Sequence, residues 1–376
     1  MPDDNRILFG VLGPILVAMA GTEVALGTPK QRAALALLLI NRNRAVSMDS
    51  LINAVWDESP VPGARATVHS YVSNLRRLFA GGGADPHAVL ASVPPGYRLS
   101  VADGACDLDR FIAGKTSGLQ AATGGRFDEA SAHLSAALAE WRGPALSDVI
   151  EFAFVEAFST ALAEDALLVQ TARAEAEIAC GRGYAVIGEL EALVAEQPYR
   201  EPLWAQLMTA YYVSDRQSDA LGTYRRLKAL LAEELGIDPS PGVTVLHDRM
   251  LRQEPLDTAG TAKTTAASAM ATSHSAFALT PTLAGLRDGA GRLHPLTAAA
   301  TRIGRHPDND IVLGGDEVSR HHAVIIDTGG SFVITDLRSA NGVYVQRQRL
   351  RPSITLADGD ELRIGAHAFT FHLDQR

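Results

Sequence analysis

The chain has 376 residues, a formal net charge of −9 at pH 7 and 47% hydrophobic residues, which is too long for one ordinary domain and too apolar for a disordered polymer. No uninterrupted apolar run reaches the roughly 18 residues of a membrane helix, and the opening MPDDNRILFG lacks the basic start and apolar core of a signal peptide. Cys106 and Cys180 are far apart and without metal-ligand spacing, so they read as structural thiols of a reducing cytoplasm. Charge is unevenly spread: residues 1–101 carry 9 Lys+Arg against 7 Asp+Glu, residues 102–252 carry 13 against 23, and the remainder 12 against 13. A slightly basic N-terminal block beside an acidic middle leaves nucleic-acid binding open to that block alone.

From Ile7 to Leu26, short apolar runs alternate with Gly-Pro and Ala-Gly-Thr turn signals, which predicts strands. Helical periodicity takes over from Lys30 to Phe79, and LASVPPGYRLSV then predicts a β-hairpin about Pro-Pro-Gly. The third helix, from about Gly63 to Phe79, has one apolar face formed by Val68, Tyr71, Val72, Leu75, Leu78 and Phe79. Arg65, His69, Ser73 and Arg76 recur at four, four and three residues on a separate polar face, with Arg77 at its flank. A basic helix face after a turn suits the major groove, where Arg meets guanine edges or phosphates. Lys30 and Arg32 lie near the start of the first helix, within reach of phosphate, and Arg98 beside Gly96 belongs to a wing that would touch the minor groove or backbone. The competing reading of any one such helix is a solvated charged face. Strands, three helices and a closing hairpin over residues 1–101 resemble the OmpR-like winged helix, here with no receiver domain in front.

Residues 102–252 read as helix after helix, with breaks at Gly124-Gly125, Gly143-Pro144, Gln197-Pro198 and Asp238-Pro239. Trp204, Leu207, Tyr211, Ala220 and Tyr224 approximate the tetratricopeptide pattern of helix hairpins that bury their faces by stacking. Residues 253–280 contain TAGTAKTTAASAMATSHSA, which lacks an apolar period and predicts a flexible Ala/Thr/Ser linker. Its threonines Thr258, Thr261, Thr264 and Thr265 are candidates for modification, against the plainer reading of a merely flexible tract.

The last stretch, residues 281–376, predicts short strands with Asp-Gly, Gly-Gly and Asn-Gly turns. Within it, Gly304-Arg305, Asn309-Asp310-Ile311, Ser319-Arg320-His321-His322 and Asn341-Gly342 stand in the order of the forkhead-associated (FHA) signature. A phosphothreonine carries about −1.5 to −2 charges and three acceptor oxygens, and its reader needs a charged fork and small donors at loop tips. The resemblance implies an all-β sandwich in which Arg305 and Ser319 bind the phosphate with Arg320 assisting, and Asn341 holds the peptide backbone. His322 is then a structural prop, while Gly304 and Gly342 permit close approach or positive φ. Many FHA modules have Ser or Thr before the Asn. Here Ala340 stands there, losing a donor worth about 1.5–3 kcal/mol unless Ser339 substitutes. Adjacent His321 and His322 point to opposite faces of a strand, so no metal is expected at them.

TPKQRAALALLLINRNRAVSMDSLINAVW, followed by ATVHSYVSNLRRLF, resembles the Streptomyces antibiotic regulatory protein class of actinobacterial activators. ALGTYRRLKALLAEELGIDPSP resembles the last repeat of their bacterial transcriptional activator domain. With the C-terminal FHA module, the likeness extends to the mycobacterial regulators of that class. It implies a multidomain α+β protein that binds promoter DNA, receives signals from a phosphorylated Ser/Thr kinase and contacts RNA polymerase, with Trp56–Gly63 the candidate surface, a stretch that reads equally as a plain helix connection stiffened by Pro60 and Pro62. Genes for cell-wall arabinosyltransferases are its implied targets. A second reading is a phosphothreonine-dependent interaction protein that sequesters a kinase and has little DNA binding. An enzyme is not expected, since G-x-x-x-x-G-K-[ST], G-x-S-x-G and H-E-x-x-H are all missing. No cofactor is implied.

Overall fold

The computed structural model describes residues 7–56, 61–271, 283–296, 298, 300–307, 309–328, 331–350 and 353–374. The chain divides into two compact units, one of Met1–Ala113, Ala139–Ala166 and Ala271–Arg376 and the other of Gly114–Leu138 and Leu167–Met270.

The N-terminal region starts with β1 (Ile7–Gly10), β2 (Leu16–Met19) and β3 (Thr22–Glu23), an antiparallel sheet in that order. Helix α1 (Pro29–Ile40) is started by Thr28, whose hydroxyl accepts the Gln31 N–H, and by Pro29 in its first turn. Then follow β4 (Ala45–Ser47), α2 (Met48–Trp56), α3 (Ala64–Gly81), α4 (Pro86–Val89) and the hairpin β5 (Leu90–Val93) and β6 (Gly96–Leu99). Strand β4 pairs with β6, so the hairpin becomes a three-stranded wing of order β4-β6-β5. A Cβ on Gly96 would lie 2.0 Å from the Val46 carbonyl oxygen, so only glycine lets these strands meet. Of the apolar face predicted for the third helix, Val68, Val72, Leu75 and Phe79 are buried, while Tyr71 and Leu78 are half-buried.

Helices α5 (Asp107–Thr123), α6 (Phe127–Leu138), α7 (Ala153–Ala179), α8 (Ile187–Glu196), α9 (Glu201–Val213), α10 (Gln217–Leu235) and α11 (Pro241–Leu251) follow. The glycine and proline pairs singled out in the sequence all fall between helices. In the second unit, Trp204, Leu207 and Tyr211 of α9 share a core with Ala220 and Tyr224 of α10. The segment that composition predicts as a flexible linker is α12 (Thr258–Ala271). Its buried Ala262, Ala266 and Ala269 recur at helical spacing, a packing face of small residues that composition conceals. The Thr261 and Thr264 hydroxyls donate to the carbonyls of Asp257 and Gly260 at 2.9 Å. Residues 272–280 of the predicted linker lie outside the described residues.

Asp107, buried at the start of α5, fastens the N-terminal sheet. Its carboxylate accepts the Val11 N–H at 2.9 Å and the Leu12 N–H at 3.1 Å, and pairs with Arg142 at 3.1 Å. Arg142 is exposed, so losing Asp107 costs chiefly the unmet N–H groups of Val11 and Leu12, about 1–3 kcal/mol. Asp107→Ala is therefore expected to lower stability to chemical denaturant by about that amount, and an unchanged midpoint would show the carboxylate to be dispensable.

The C-terminal region comprises β7 (Leu283–Asp288), β8 (Leu293–Leu296), β9 (Ala300–Gly304), β10 (Ile311–Val312), β11 (Ala323–Asp327) and β12 (Phe332–Asp336). It continues with β13 (Val343–Val345), β14 (Gln348–Arg349), β15 (Ser353–Leu356), β16 (Glu361–Ile364) and β17 (His367–Asp374). These form two sheets, β10-β9-β11-β12-β15 and β14-β13-β16-β17-β7-β8. Their shared core includes Ile303, Ile325, Phe332, Ile334, Leu362 and Phe371. Loops at one end of this sandwich carry the signature residues.

Candidate phosphate-binding and nucleic-acid-binding sites

Three loops meet beyond the end of β9. Arg305 leaves that strand, and its backbone N–H donates to the Ser319 carbonyl at 2.9 Å, while His306 does the same to Arg320 at 3.0 Å. A Cβ on Gly304 would lie 2.2 Å from the Arg320 carbonyl oxygen, so the close approach of the two loops requires glycine. Asn309, which sequence reading quotes in the motif without a role, is the internal tie. It is buried, and its amide donates to the carbonyls of His306 at 2.7 Å and Arg320 at 2.8 Å.

His322 is wholly buried between the other two loops. Its Nδ1 accepts the Ser319 N–H at 3.0 Å and its Nε2 faces the Gly342 carbonyl at 3.2 Å, a pairing that the neutral Nε2–H tautomer satisfies. The third loop is joined to the second when the Ala340 N–H donates to the Ser319 hydroxyl oxygen at 3.1 Å. The Asn341 amide donates to the Glu317 carbonyl at 2.9 Å. Gly342 has φ +76, which favours glycine. Ser339 is buried, and its hydroxyl oxygen accepts the Gly342 N–H at 3.0 Å. It braces the turn from inside and does not stand in for the donor missing at Ala340.

Arg305, Arg320 and Asn341 are exposed and Ser319 is half-buried, so a guanidinium, a hydroxyl and an amide converge on solvent. Arg305 pairs with Asp316 at 3.4 Å, and Asp316 is fully exposed, so the pair is weak and readily exchanged for a stronger anion. The backbone of all three loops is fixed by internal hydrogen bonds, and the long side chains of Arg305 and Arg320 extend to solvent.

On the winged helix, the predicted polar face divides. Arg65, His69, Ser73 and Arg77 are exposed along α3, joined by Ser70 and Asn74. Arg65 pairs with Asp49 at 3.1 Å, with both side chains exposed. His69 Nδ1 lies 2.7 Å from the Tyr97 hydroxyl, and the Ser73 hydroxyl donates to the His69 carbonyl at 2.9 Å. Arg76 turns the other way. Its Nε and Nη2 donate to the Leu90 carbonyl at 2.9 and 2.8 Å, and Nη2 reaches the Ser92 hydroxyl, so it ties α3 to the wing. Arg32 is likewise committed, at 2.8 Å from Asp148 and 3.0 Å from the Gly27 carbonyl. Lys30 is exposed over the Trp56 ring at 5.1 Å, and Arg98 is exposed on β6. The exposed row of α3 thus runs through Arg77, with Arg76 and Arg32 serving the fold. Residues 57–60 of the Trp56–Gly63 stretch lie outside the described residues.

Comparison with known proteins matches three family models: a transcriptional regulatory protein C-terminal domain over residues 21–99, a bacterial transcriptional activator domain over 106–251 and an FHA domain over 301–365. Transcriptional regulatory protein EmbR of Mycobacterium tuberculosis is 60% identical over 378 residues, covering 98% of this chain and 96% of that protein. Transcriptional regulatory protein MoaR1 of the same organism is 54% identical over 254 residues, covering 67% of this chain and 82% of its own length. The solved structure of M. tuberculosis EmbR in complex with a low-affinity phosphopeptide superposes with a TM-score of 0.93, covering 99% of each chain at 60% identity.

Proposed function

The chain belongs to the EmbR-like family of transcriptional regulators, with a winged helix, an activator domain and an FHA domain, and we propose that it couples promoter binding to phosphothreonine recognition. The observation that carries this reading is the convergence of Arg305, Ser319, Arg320 and Asn341 on loops braced by His322 and Asn309. Arg305 offers the fork, Ser319 the hydroxyl and Asn341 the amide for the peptide backbone. A phosphorylated Ser/Thr kinase is the proposed source of the phosphothreonine, and double-stranded promoter DNA the proposed ligand of the α3 face and the wing. The solved complex of EmbR with a low-affinity phosphopeptide supports the first half of the reading.

Binding of the full chain to a promoter library across a salt series, with and without a phosphothreonine peptide, tests the coupling. The expected result is specific, salt-dependent DNA binding that shifts on adding the peptide. Peptide binding with no DNA retained at low salt would favour the kinase-sequestering alternative. Gly304→Ala is expected to weaken phosphopeptide binding by about 5- to 150-fold without removing a charge, because a strained loop costs about 1–3 kcal/mol. Titration calorimetry reads this, and wild-type affinity would mean that the Arg320 loop yields.

A further inference from the structure

The outer face of the sheet β14-β13-β16-β17-β7-β8 is basic and open. Val343, Val345, Leu362, Ile364, Phe369 and Phe371 belong to the sandwich core, so Tyr344, Arg363, Ala368 and Thr370 point outward by strand alternation. Register places Arg349 opposite Tyr344, Tyr344 opposite Arg363 and Arg363 opposite Ala368, one row across four strands. The next row sets Thr370 between Glu361 and Arg287. Arg287, Arg349 and Arg363 are exposed, and the Arg363 guanidinium lies 4.1 Å from the centre of the Tyr344 ring. A groove of about 440 Å³ crosses this face, and its lining includes Arg287, Tyr344, Arg347, Glu361 and Arg363.

Charge on this face is unbalanced. Asp288 also lines the groove, but its carboxylate is turned to its own hairpin, where it accepts the N–H groups of Ala290 at 3.0 Å and Arg292 at 2.9 Å. Among the described residues, none of Arg287, Arg347, Arg349 and Arg363 pairs with a carboxylate, so four guanidiniums stand against Glu361. Such a face favours an anion. The two-residue turn Gln346-Arg347 holds both residues at positive φ, +49 and +66, where Asn-Gly is the unstrained pair, so Arg347 stands there at a conformational cost.

The basic face begins at the phosphate loops. A Cβ on Gly342 would lie 2.6 Å from Nε of Arg349, so that guanidinium rests against the Asn341-Gly342 turn. From β14 to β7 the sheet order counts four strand spacings, about 19 Å, which about six extended residues span. We propose that this face is a second contact for the phosphothreonine-bearing partner, taking an acidic segment of about six residues that leaves the phosphate loops past Arg349 and runs over Tyr344 toward Arg363 and Arg287. This contact rests on phosphothreonine binding at Arg305 and Ser319, the function proposed above. Arginine forks take carboxylates bidentately, and a guanidinium already stacked on Tyr344 has less freedom to lose on doing so.

Calorimetry on the full chain tests this with peptides that share one phosphothreonine core and are extended by Glu or by Gln residues on the N- or the C-terminal side. On one side, the Glu extension is expected to bind about fivefold tighter than its Gln twin, as a few exposed ion pairs allow, with the gap closing as salt is raised. Arg287→Gln with Arg363→Gln is expected to abolish that advantage, whereas Arg225→Gln, at an exposed position of α10, keeps it. Each variant is read as the ratio of its own two affinities, which separates loss of this face from a general loss of fold. If the double variant fails to fold, Arg363→Gln alone carries the test. Extensions that bind alike on both sides, or an advantage that survives the arginine changes, overturn the inference and leave phosphothreonine recognition standing. Equal binding of phosphorylated and unphosphorylated Gln peptides overturns both. If the extensions bind alike but the double variant retains less promoter DNA, the inference falls and the face belongs to nucleic acid.

Discussion

Arg305→Ala will weaken binding of a phosphothreonine peptide by about 10- to 150-fold, the range that 1.5–3 kcal/mol for a charge-assisted hydrogen bond gives. The exposed pair with Asp316 at 3.4 Å offers little competition for the guanidinium, so almost all of its attraction for phosphate is realised on binding. Arg305→Lys will recover only part of the loss, because an ammonium keeps the charge and forfeits the fork. Ser319→Ala will lose more than one donor, since that hydroxyl oxygen also accepts the Ala340 N–H and holds the third loop to the second. Calorimetry with the phosphorylated peptide and its unphosphorylated twin checks all three. Equal affinity for the two peptides, or an Arg305→Ala variant that binds like wild type, would move the phosphate elsewhere.

Two adjacent arginines of α3 are expected to fail in opposite ways. Arg77→Ala will leave thermal stability unchanged, and will weaken DNA binding by about 1–3 kcal/mol if it meets a base edge or lower the salt slope by about 0.9 if it meets a phosphate. Arg76→Ala will destabilise the winged helix by about 2 kcal/mol, because it removes a charged donor from the Leu90 carbonyl and a cation from the face of Tyr97. Its effect on DNA will follow from the loosened wing. Denaturant melts beside a salt-dependent binding isotherm separate the two. An Arg76→Ala protein of full stability that loses DNA would return Arg76 to the interface.

Much of this was legible because the informative residues are close in sequence. The FHA loops are marked by short motifs whose residue types cannot be exchanged: a glycine where another backbone comes within 2.2 Å, and a histidine that must meet an N–H and a carbonyl at once. Helical spacing separated the buried from the polar side of α3, but could not tell Arg76 from Arg77. A long side chain chooses between solvent and a neighbouring carbonyl, and the neighbour here is fourteen residues away. Strand β4 is too short to carry a period, and α12 hides its packing face in a run of alanine and threonine. AVIID of β11 reads equally well as a strand buried on one face or on two, and only the fold, which buries Val324 and Ile326 as well as Ala323 and Ile325, decides between them.

The carboxylate of Asp107 also sets an order of events during synthesis. The N–H groups of Val11 and Leu12 are made early, yet their acceptor lies 96 and 95 residues further on, and its own counterion Arg142 follows 35 residues after that. At about 5–20 residues per second, the ribosome needs several seconds to supply both. From residue 101 until Arg142 is made, the nascent winged helix has its sequence complete while Val11 and Leu12 lack their charge-paired acceptor, and a fragment ending at residue 101 would lack it permanently.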